Sequence, residues 1–522
     1  MIKTRLGMHL FLNTAQAQYT LFRHFLYWNM GPSVYIGTES DILYKYRCGG
    51  QMYRYEQVVH KVNKLIASGI LKPGERLPSV REMSHQTGFS TVTIQNAYAI
   101  LESEGVILAR PRSGYYVDNN PPNSDTFQLE PEPQQERSET QLRQLYSLQR
   151  LWHEAQLDTF GHMHISDDLI PREEMMSHMM RRLRDLKRHP SAIGSVVGSL
   201  ELREIISRMA IRRGQFVRPS EIMVTSSAQA ALNLCLDTAA GSGGTVIVES
   251  PSYFPFFGAL RRRRLNVIEI YSHPKNGMDP NQLKHLLDNN DVSTLLTIPT
   301  NHFPTGITCP DEIQKSIVNL CASKKVPIIE YDIFGELTYG IALESSLKRY
   351  DVHDIVLQIG SFAETLGPQY GLGWIINRRY KDQIAEQYFL DETANVNVAV
   401  EAALLDFFSR RSFDRHLRAL REALAKRMQT SVGILRNVAP AGCMISQPSG
   451  GFMSWIRVSP DFDALKAAFL AVSAGISIPP GPLFSVTQSY KNFIGLNLSF
   501  PTDDANKKRL EQLGALLKEQ SF

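Results

Sequence analysis

Apolar residues recur at helical spacing over one short stretch and at strand-like intervals over a much longer one. From Met52 onward Val58, Val59, Val62, Leu65 and Ile66 fall three and four apart, which predicts an amphipathic helix ended by Gly69 before the turn Lys72-Pro73-Gly74. Ser79 is placed to cap a second helix running through Arg81, Glu82 and Met83 to about Thr87, where Gly88 breaks it. Ser90 caps a third, Thr91 to about Glu104, whose inward stripe is Ile94, Ala97, Tyr98 and Leu101. Gly105, a strand from Val106 to Ala109, a turn over Arg110-Pro111-Arg112-Ser113-Gly114 and a strand from Tyr115 to Val117 complete the segment.

Beyond residue 150 short β-rich runs alternate with helical patterns. Strands are predicted at Glu221 to Ser226, Thr245 to Val248, Val267 to Tyr271, Leu295 to Ile298, Pro327 to Tyr331 and Ile355 to Ile359. Helices fall at Ala228 to Ala239, Phe254 to Arg263 and Asp311 to Ser323, so the sheet is expected to be mostly parallel with helices on both faces. From about Cys443 strands (Phe452 to Val458, Phe493 to Phe500) mix with helices (Phe462 to Ser473, Ala505 to Glu519), the pattern of a smaller α+β lobe. Between the two patterned regions, residues 118–150 read as a linker: from Asp118 to about Thr140 the chain is Asn, Pro, Glu, Gln and Ser, too polar to bury a core.

At 522 residues and 43% hydrophobic content the chain can build several cores, which excludes a small disulfide-stapled module. A net charge of +4 is too small for a general polyanion binder. Five scattered cysteines (Cys48, Cys235, Cys309, Cys321, Cys443) form no C-x-x-C pair and fit a reducing cytoplasm; no metal site is expected, His153, His162 and His164 reading as surface histidines. No run approaches the roughly 18 apolar residues of a membrane helix. Residues 1–51 hold nine aromatics without periodicity and are read either as a leader upstream of a start at Met52 or as an arm that docks elsewhere.

Two helices joined by a tight glycine turn and followed by a hairpin make a winged helix-turn-helix. The third helix is expected in the major groove of DNA, with Thr91, Thr93, Gln95 and Asn96 facing base edges beside Ser79, Ser90, Ser113 and Gly114, while Arg76, Arg81, Arg110 and Arg112 hold phosphates or a minor-groove edge. Eight basic residues against five acidic ones between Met52 and Val117 leave a local surplus for that task.

The strings Leu77-Pro78-Ser79-Val80-Arg81, Ser90-Thr91-Val92-Thr93 and Arg110-Pro111-Arg112-Ser113-Gly114-Tyr115 closely resemble the DNA-binding domain of GntR-family regulators. A basic residue often follows the recognition-helix serine in that family; here it is Thr91. Downstream, Gly198-Ser199-Leu200-Glu201-Leu202-Arg203, Thr225-Ser226-Ser227-Ala228-Gln229, Glu249-Ser250-Pro251-Ser252-Tyr253, Phe303-Pro304-Thr305-Gly306 and Ile359-Gly360-Ser361-Phe362 are similar to the fold-type I aminotransferases. From Met52 the whole chain resembles the MocR-like subfamily of GntR regulators, which implies a homodimer joined through residues 151–522 with two winged helices (52–117) on operator DNA.

The resemblance also implies a pyridoxal phosphate pocket whose chemistry needs a lysine for the imine, a carboxylate under the pyridine nitrogen, and donors for the ring hydroxyl and phosphate. Carried over position by position, these roles fail. The lysine position is Glu364, in Ser361-Phe362-Ala363-Glu364, so covalent attachment there is excluded and no cofactor is expected. Tyr331 stands at the pyridine partner, Phe334 at a tyrosine, Phe303 at an asparagine, Gly371 at the phosphate-side arginine and Gly495 at the substrate arginine. Asp332 points away from Tyr331 if the strand keeps period two. Ser227, Ala228 and Gln229 at a helix N-terminus, Tyr253 and Ser361 survive as scaffolding.

A regulator whose catalytically inactive large domain serves dimerisation is therefore expected, its cavity either plugged by Phe303, Tyr331, Phe334 and Tyr370 or open to a different small-molecule effector at Glu364. The alternatives are a pyridoxal phosphate-dependent aminotransferase with an accessory DNA-binding domain, and a regulator that keeps the cofactor non-covalently.

Overall fold

The computed structural model describes residues 54–103, 106–110, 113–117, 139–157, 160–188, 197–273, 276–339, 345–390, 396–410, 413–446, 448–487 and 489–520, at some positions by backbone alone. The expectations for residues 1–51 and for Arg112 lie outside the described residues. The chain divides into two compact units with the break after Gln128.

The smaller unit holds α1 (Arg54–Ala67), α2 (Val80–Thr87), α3 (Thr91–Ser103), β1 (Ile107–Arg110) and β2 (Gly114–Val117). Its core is the stripe that the spacing marks: Val58 and Val62 of α1, Met83 of α2 and Ile94, Ala97, Tyr98 and Leu101 of α3 close on Leu77, Ile107 and Val117. The β1–β2 hairpin is antiparallel, Ile107 opposite Val117 and Arg110 opposite Gly114. The strap before α2 joins its edge, Leu77 N donating to Tyr115 O and Val117 N to Glu75 O, both at 2.8 Å.

Ser79 starts α2 with a capping box: its Oγ accepts from Glu82 N at 3.3 Å while Glu82 Oε2 accepts from Ser79 N at 2.7 Å. These bonds lower the Glu82 carboxyl below its ordinary value. Gly88 closes the helix at φ +70, where a Cβ is disfavoured. Ser79→Ala removes one half of the box and is expected to cost about 1 kcal/mol, seen as roughly fivefold faster hydrogen exchange of the α2 amides. Unchanged exchange would show that the cap contributes nothing.

The larger unit is built on an eight-stranded sheet of order β3-β10-β9-β8-β7-β4-β5-β6. The strands are β3 (Ile222–Thr225), β4 (Thr245–Ser250), β5 (Asn266–His273), β6 (Gly277–Met278), β7 (Thr294–Thr297), β8 (Ile328–Tyr331), β9 (Val356–Ser361) and β10 (Gly373–Ile376). The five central strands β9, β8, β7, β4 and β5 run parallel, as expected. β10 instead inserts antiparallel between β9 and β3, and β6 pairs antiparallel at the other edge.

Side chains alternate cleanly across the sheet. Leu296, Ile329, Leu357 and Ile359 face the core under the helix Ala228–Ala239, while Leu295, Ile328 and Val356 face the layer of the helices Pro280–Asn289 and Asp311–Lys324. A three-stranded antiparallel sheet of Met444–Ile445, Met453–Arg457 and Phe493–Asn497, with the helices Ala464–Ser473 and Asp504–Glu519, forms the smaller lobe.

One expected boundary moves. The linker placed at 118–150 runs into a helix, Glu139–Glu154, whose Leu145, Leu148 and Trp152 are buried in the cores of the larger unit. Apolar residues three and four apart turn one face of that helix inward, despite the polar stretch that precedes it.

Candidate functional site

On the smaller unit the exposed polar face of α3 is Thr91 and Gln95, one turn apart, with Ser90 just before them. Ser90 spends its hydroxyl on the helix: Oγ accepts from Thr93 N at 3.2 Å and lies 2.8 Å from Thr93 Oγ1. Thr93 is accordingly half-buried and tied to the cap, where the spacing expected a free outward side chain. Ser79 is likewise a capping residue. Arg76 and Arg81 are both exposed. The Arg76 guanidinium lies against Gly114, whose φ of +109 and missing side chain leave room for it; a Cβ there would stand 3.3 Å from Arg76 Nε. Ser113 Oγ pairs with Tyr116 OH at 2.7 Å and braces the hairpin tip. Arg110 is placed by its backbone in β1, and Asn96 in α3.

On the larger unit the pocket positions converge at the C-terminal ends of the parallel strands, where open α/β sheets bind ligands. Tyr253 follows β4, Phe303 follows β7, Tyr331 ends β8, and Ser361 ends β9 just before the short helix that carries Glu364. Their rings pack on one another. Tyr253 meets Phe303 at 5.0 Å, Tyr331 at 5.7 Å and Phe334 at 5.9 Å between centroids. Phe303 stacks on Phe334 at 5.4 Å, and Phe256, Phe452 and Phe484 close the cluster. Tyr370, expected in the plug, belongs to a separate cluster with Met175, Phe362 and Trp374, because it lies beyond the turn after Gly367.

The remaining pocket positions are committed to the fold. Ser227 Oγ caps its helix by accepting from Ala230 N at 3.1 Å, Ala228 is buried, and a Cβ on Gly373 would strike the Ser227 carbonyl at 2.5 Å. Gln229 Nε2 is buried without a hydrogen-bond partner among the described residues. Ser361 Oγ donates towards Gly371 O or Leu372 O, 3.2 Å from each, and accepts from Ala363 N at 3.1 Å. A Cβ on Gly495 would touch Phe484 and Met453 at 3.2 Å, so those two side chains crowd the position. Lys348 is tied to Asp351 at 2.8 Å and Val356 O at 3.1 Å.

Glu364 is only 1% exposed. Its Oε1 accepts from His164 Nδ1 at 3.0 Å, and its Oε2 has no partner among the described residues. Burial works against charge on the His164 ring, yet the hydrogen bond and attraction of Glu364 outweigh it and hold the imidazole above its ordinary value. The histidine loop is pinned from β13 (Phe493–Asn497): Asn497 Nδ2 donates to His162 O at 2.9 Å and His164 O at 2.7 Å. Burial first, and then the Glu364 charge, raise the phenol of Tyr253; Tyr331 is raised by burial, Tyr253 and Glu364. His164 and Asn497 lie 200 and 133 positions from Glu364, and no spacing signal links them. Among the described residues no three His, Cys, Asp or Glu side chains converge as a metal would require, and no helix is long and apolar enough to cross a membrane.

Behind the pocket Asp332 turns to the opposite face of the strand from Tyr331, as period two requires. Arg213 grips both its oxygens and also donates to Ser345 O at 2.8 Å, while Gln358 Nε2 adds a bond at 3.1 Å. Glu330 next door accepts from Ser346 Oγ, Leu347 N and Lys348 N.

Known proteins match both units. Residues 54–117 fit the family of bacterial regulatory proteins of the gntR family, and residues 173–511 the family of class I and II aminotransferases. The HTH-type transcriptional regulator YdcR of Escherichia coli (strain K12) is 31% identical over 90% of this chain and 100% of its own. The regulator NorG of Staphylococcus aureus (strain USA300) is 25% identical over 85% of this chain and 100% of its own. Among solved structures, Pyrococcus horikoshii kynurenine aminotransferase superposes with a TM-score of 0.66 at 22% identity, covering 72% of this chain and 94% of that one. The α-aminoadipate aminotransferase LysN of Thermus thermophilus gives 0.65 at 21%, covering 72% and 95%; at these identities the likeness is one of fold. With a GntR reader in front of a class I and II aminotransferase fold, and a full-length relative among the HTH-type regulators, the chain belongs to the MocR-like transcriptional regulators.

Proposed function

We propose that this regulator binds operator DNA sequence-specifically as a cytoplasmic homodimer and uses its aminotransferase fold without catalysis, as a scaffold and ligand pocket that does not hold pyridoxal phosphate. The observation that carries the reading is Glu364: a buried carboxylate stands at the position where the resemblance calls for an imine-forming lysine, and its charge bears on Tyr253 and Tyr331 of the ring cluster. A carboxylate cannot form an imine. The phenol of Tyr331 is held protonated by burial and offers no charge to a pyridinium, and Phe303 and Phe334 offer no donor to a ring hydroxyl. The residues present therefore do not fit the group, and no step runs through it.

The two readers of a dimer double the phosphate contacts of a weakly basic domain, which steepens both affinity and its salt dependence. A pocket ligand acts as a switch only by favouring one arrangement of the dimer over another.

The test is the visible spectrum of the purified protein after incubation with pyridoxal phosphate and desalting, followed by borohydride reduction and intact mass. A colourless protein of unchanged mass, inactive with amino acids and 2-oxo acids, is expected. Colour without added mass would replace the reading with a non-covalent cofactor sensor. Added mass would mean that another lysine forms the imine.

A further inference from the structure

We propose that Glu364 and the rings around it form a binding site for the ammonium group of a small, unbranched primary amine. The inference rests on the reading of this cavity as a ligand pocket and deepens it by naming the ligand's chemistry. Three observations carry it.

The first is an unfinished carboxylate. Glu364 is 99% buried, and among the described residues only its Oε1 is used, by His164 at 3.0 Å. A buried carboxylate oxygen without a donor is costly, and an N–H of a cation is the donor that best relieves it. The second is the character of the wall. Glu364 lies on the short helix after β9, next to the end of β8 that carries Tyr331, and its charge bears on Tyr331 and Tyr253, which pack with Phe303 and Phe334, all four rings buried. A carboxylate beside aromatic faces suits an ammonium, which gains from both, and rejects a phosphate or carboxylate, which gains from neither.

The third is access. His164 is half-exposed, its side chain 39% accessible, so the buried carboxylate lies one residue below the surface. Oε2 asks only for an ammonium head, and an unbranched chain behind it is narrower than a pyridine ring. The His164 ring already serves Oε1 through Nδ1, and an amine would share the carboxylate with it. The charge of the inherited pocket is thereby inverted, from a lysine that meets an aldehyde to a carboxylate that meets an amine.

The test uses the full chain without DNA and follows its unfolding temperature with n-butylamine, n-butyrate and n-butanol at matched ionic strength. A saturable rise with n-butylamine alone is expected. Glu364→Gln keeps the shape, removes the charge and should weaken the response about a hundredfold. His164→Ala removes the competing donor on the carboxylate and should tighten it about tenfold.

No rise with butylamine, an equal rise with butanol, or a rise that survives Glu364→Gln would overturn the site. Should Glu364→Gln fail to fold, an unchanged or weakened response in His164→Ala would do the same. Operator binding without amine tests the regulator reading separately. A protein that binds operator and ignores amines sinks the site alone, and one that binds amines but no DNA sinks the reading and leaves the site.

Discussion

Arg213→Met lowers the stability of the larger unit by about 3–5 kcal/mol, because it strands the buried carboxylate of Asp332 with Gln358 as its one remaining side-chain donor among the described residues. The guanidinium is itself buried and is held above its ordinary value by Asp332 in spite of desolvation, so the pair stands or falls together. The penalty depends on pH. Burial raises the Asp332 carboxyl against the pull of Arg213, and burial together with the Asp332 charge pushes Glu330 up to about 8 against its three donors. Carboxyls that titrate higher folded than unfolded keep extra protons in the folded state. Their stabilisation is full below the ordinary carboxylate range and drains away as pH rises through the folded value.

Without Arg213 the Asp332 carboxyl moves higher still. The deficit of the variant against the parent is therefore smallest at the acid end of the range in which both stay folded and grows as pH rises. Urea unfolding of the two proteins across that range measures it, and parallel stability curves would show that Asp332 does not depend on Arg213. The pair matters to the pocket because Tyr331 is the last residue of β8 and Asp332 follows it directly: the one places a phenol among the rings while the other anchors the strand end.

What could be read from the chain beforehand was local. The α3 stripe of Ile94, Ala97, Tyr98 and Leu101 is a 3.6-residue repeat and emerges as a core, and the opposite orientations of Tyr331 and Asp332 follow from a two-residue repeat. The parallel centre of the sheet follows from alternating strand and helix patterns. Partners set by folding at long range were not legible. Glu364 with His164 and Asp332 with Arg213 are 200 and 119 positions apart, and neither pair shares a periodic element.

The antiparallel insertion of Gly373–Ile376 beside β9 was also hidden, since four residues carry too little pattern to show direction. Tyr370 was misassigned to the plug for a related reason. Alignment places it next to a pocket position, but the chain turns after Gly367 and seats the ring in another core. The helix Glu139–Glu154 had its signal in Leu145, Leu148 and Trp152, and composition alone put the linker's end too late.

The largest effect is expected on DNA. Thr91 and Gln95 are exposed one turn apart on α3, while Ser90 and Thr93 are engaged with each other at the helix start, which leaves Gln95 as the longest free polar arm at the N-terminal half of that helix. A glutamine amide pairs best with the edge of an adenine. Gln95→Ala should therefore cost about 1–3 kcal/mol at each half-site, so about 2–6 kcal/mol for the proposed dimer, and should relax the preference at one base position per half-site.

Arg81→Ala behaves differently. An exposed guanidinium on α2 that meets a phosphate adds affinity without reading sequence, so its loss weakens binding to every duplex alike and lowers the salt slope by roughly two for a dimer. Selection of operators from random duplexes, followed by titrations at several salt concentrations, separates the two behaviours. If Gln95→Ala instead lowered affinity uniformly with a shallower salt slope, α3 would lie along the backbone and another element would read the bases.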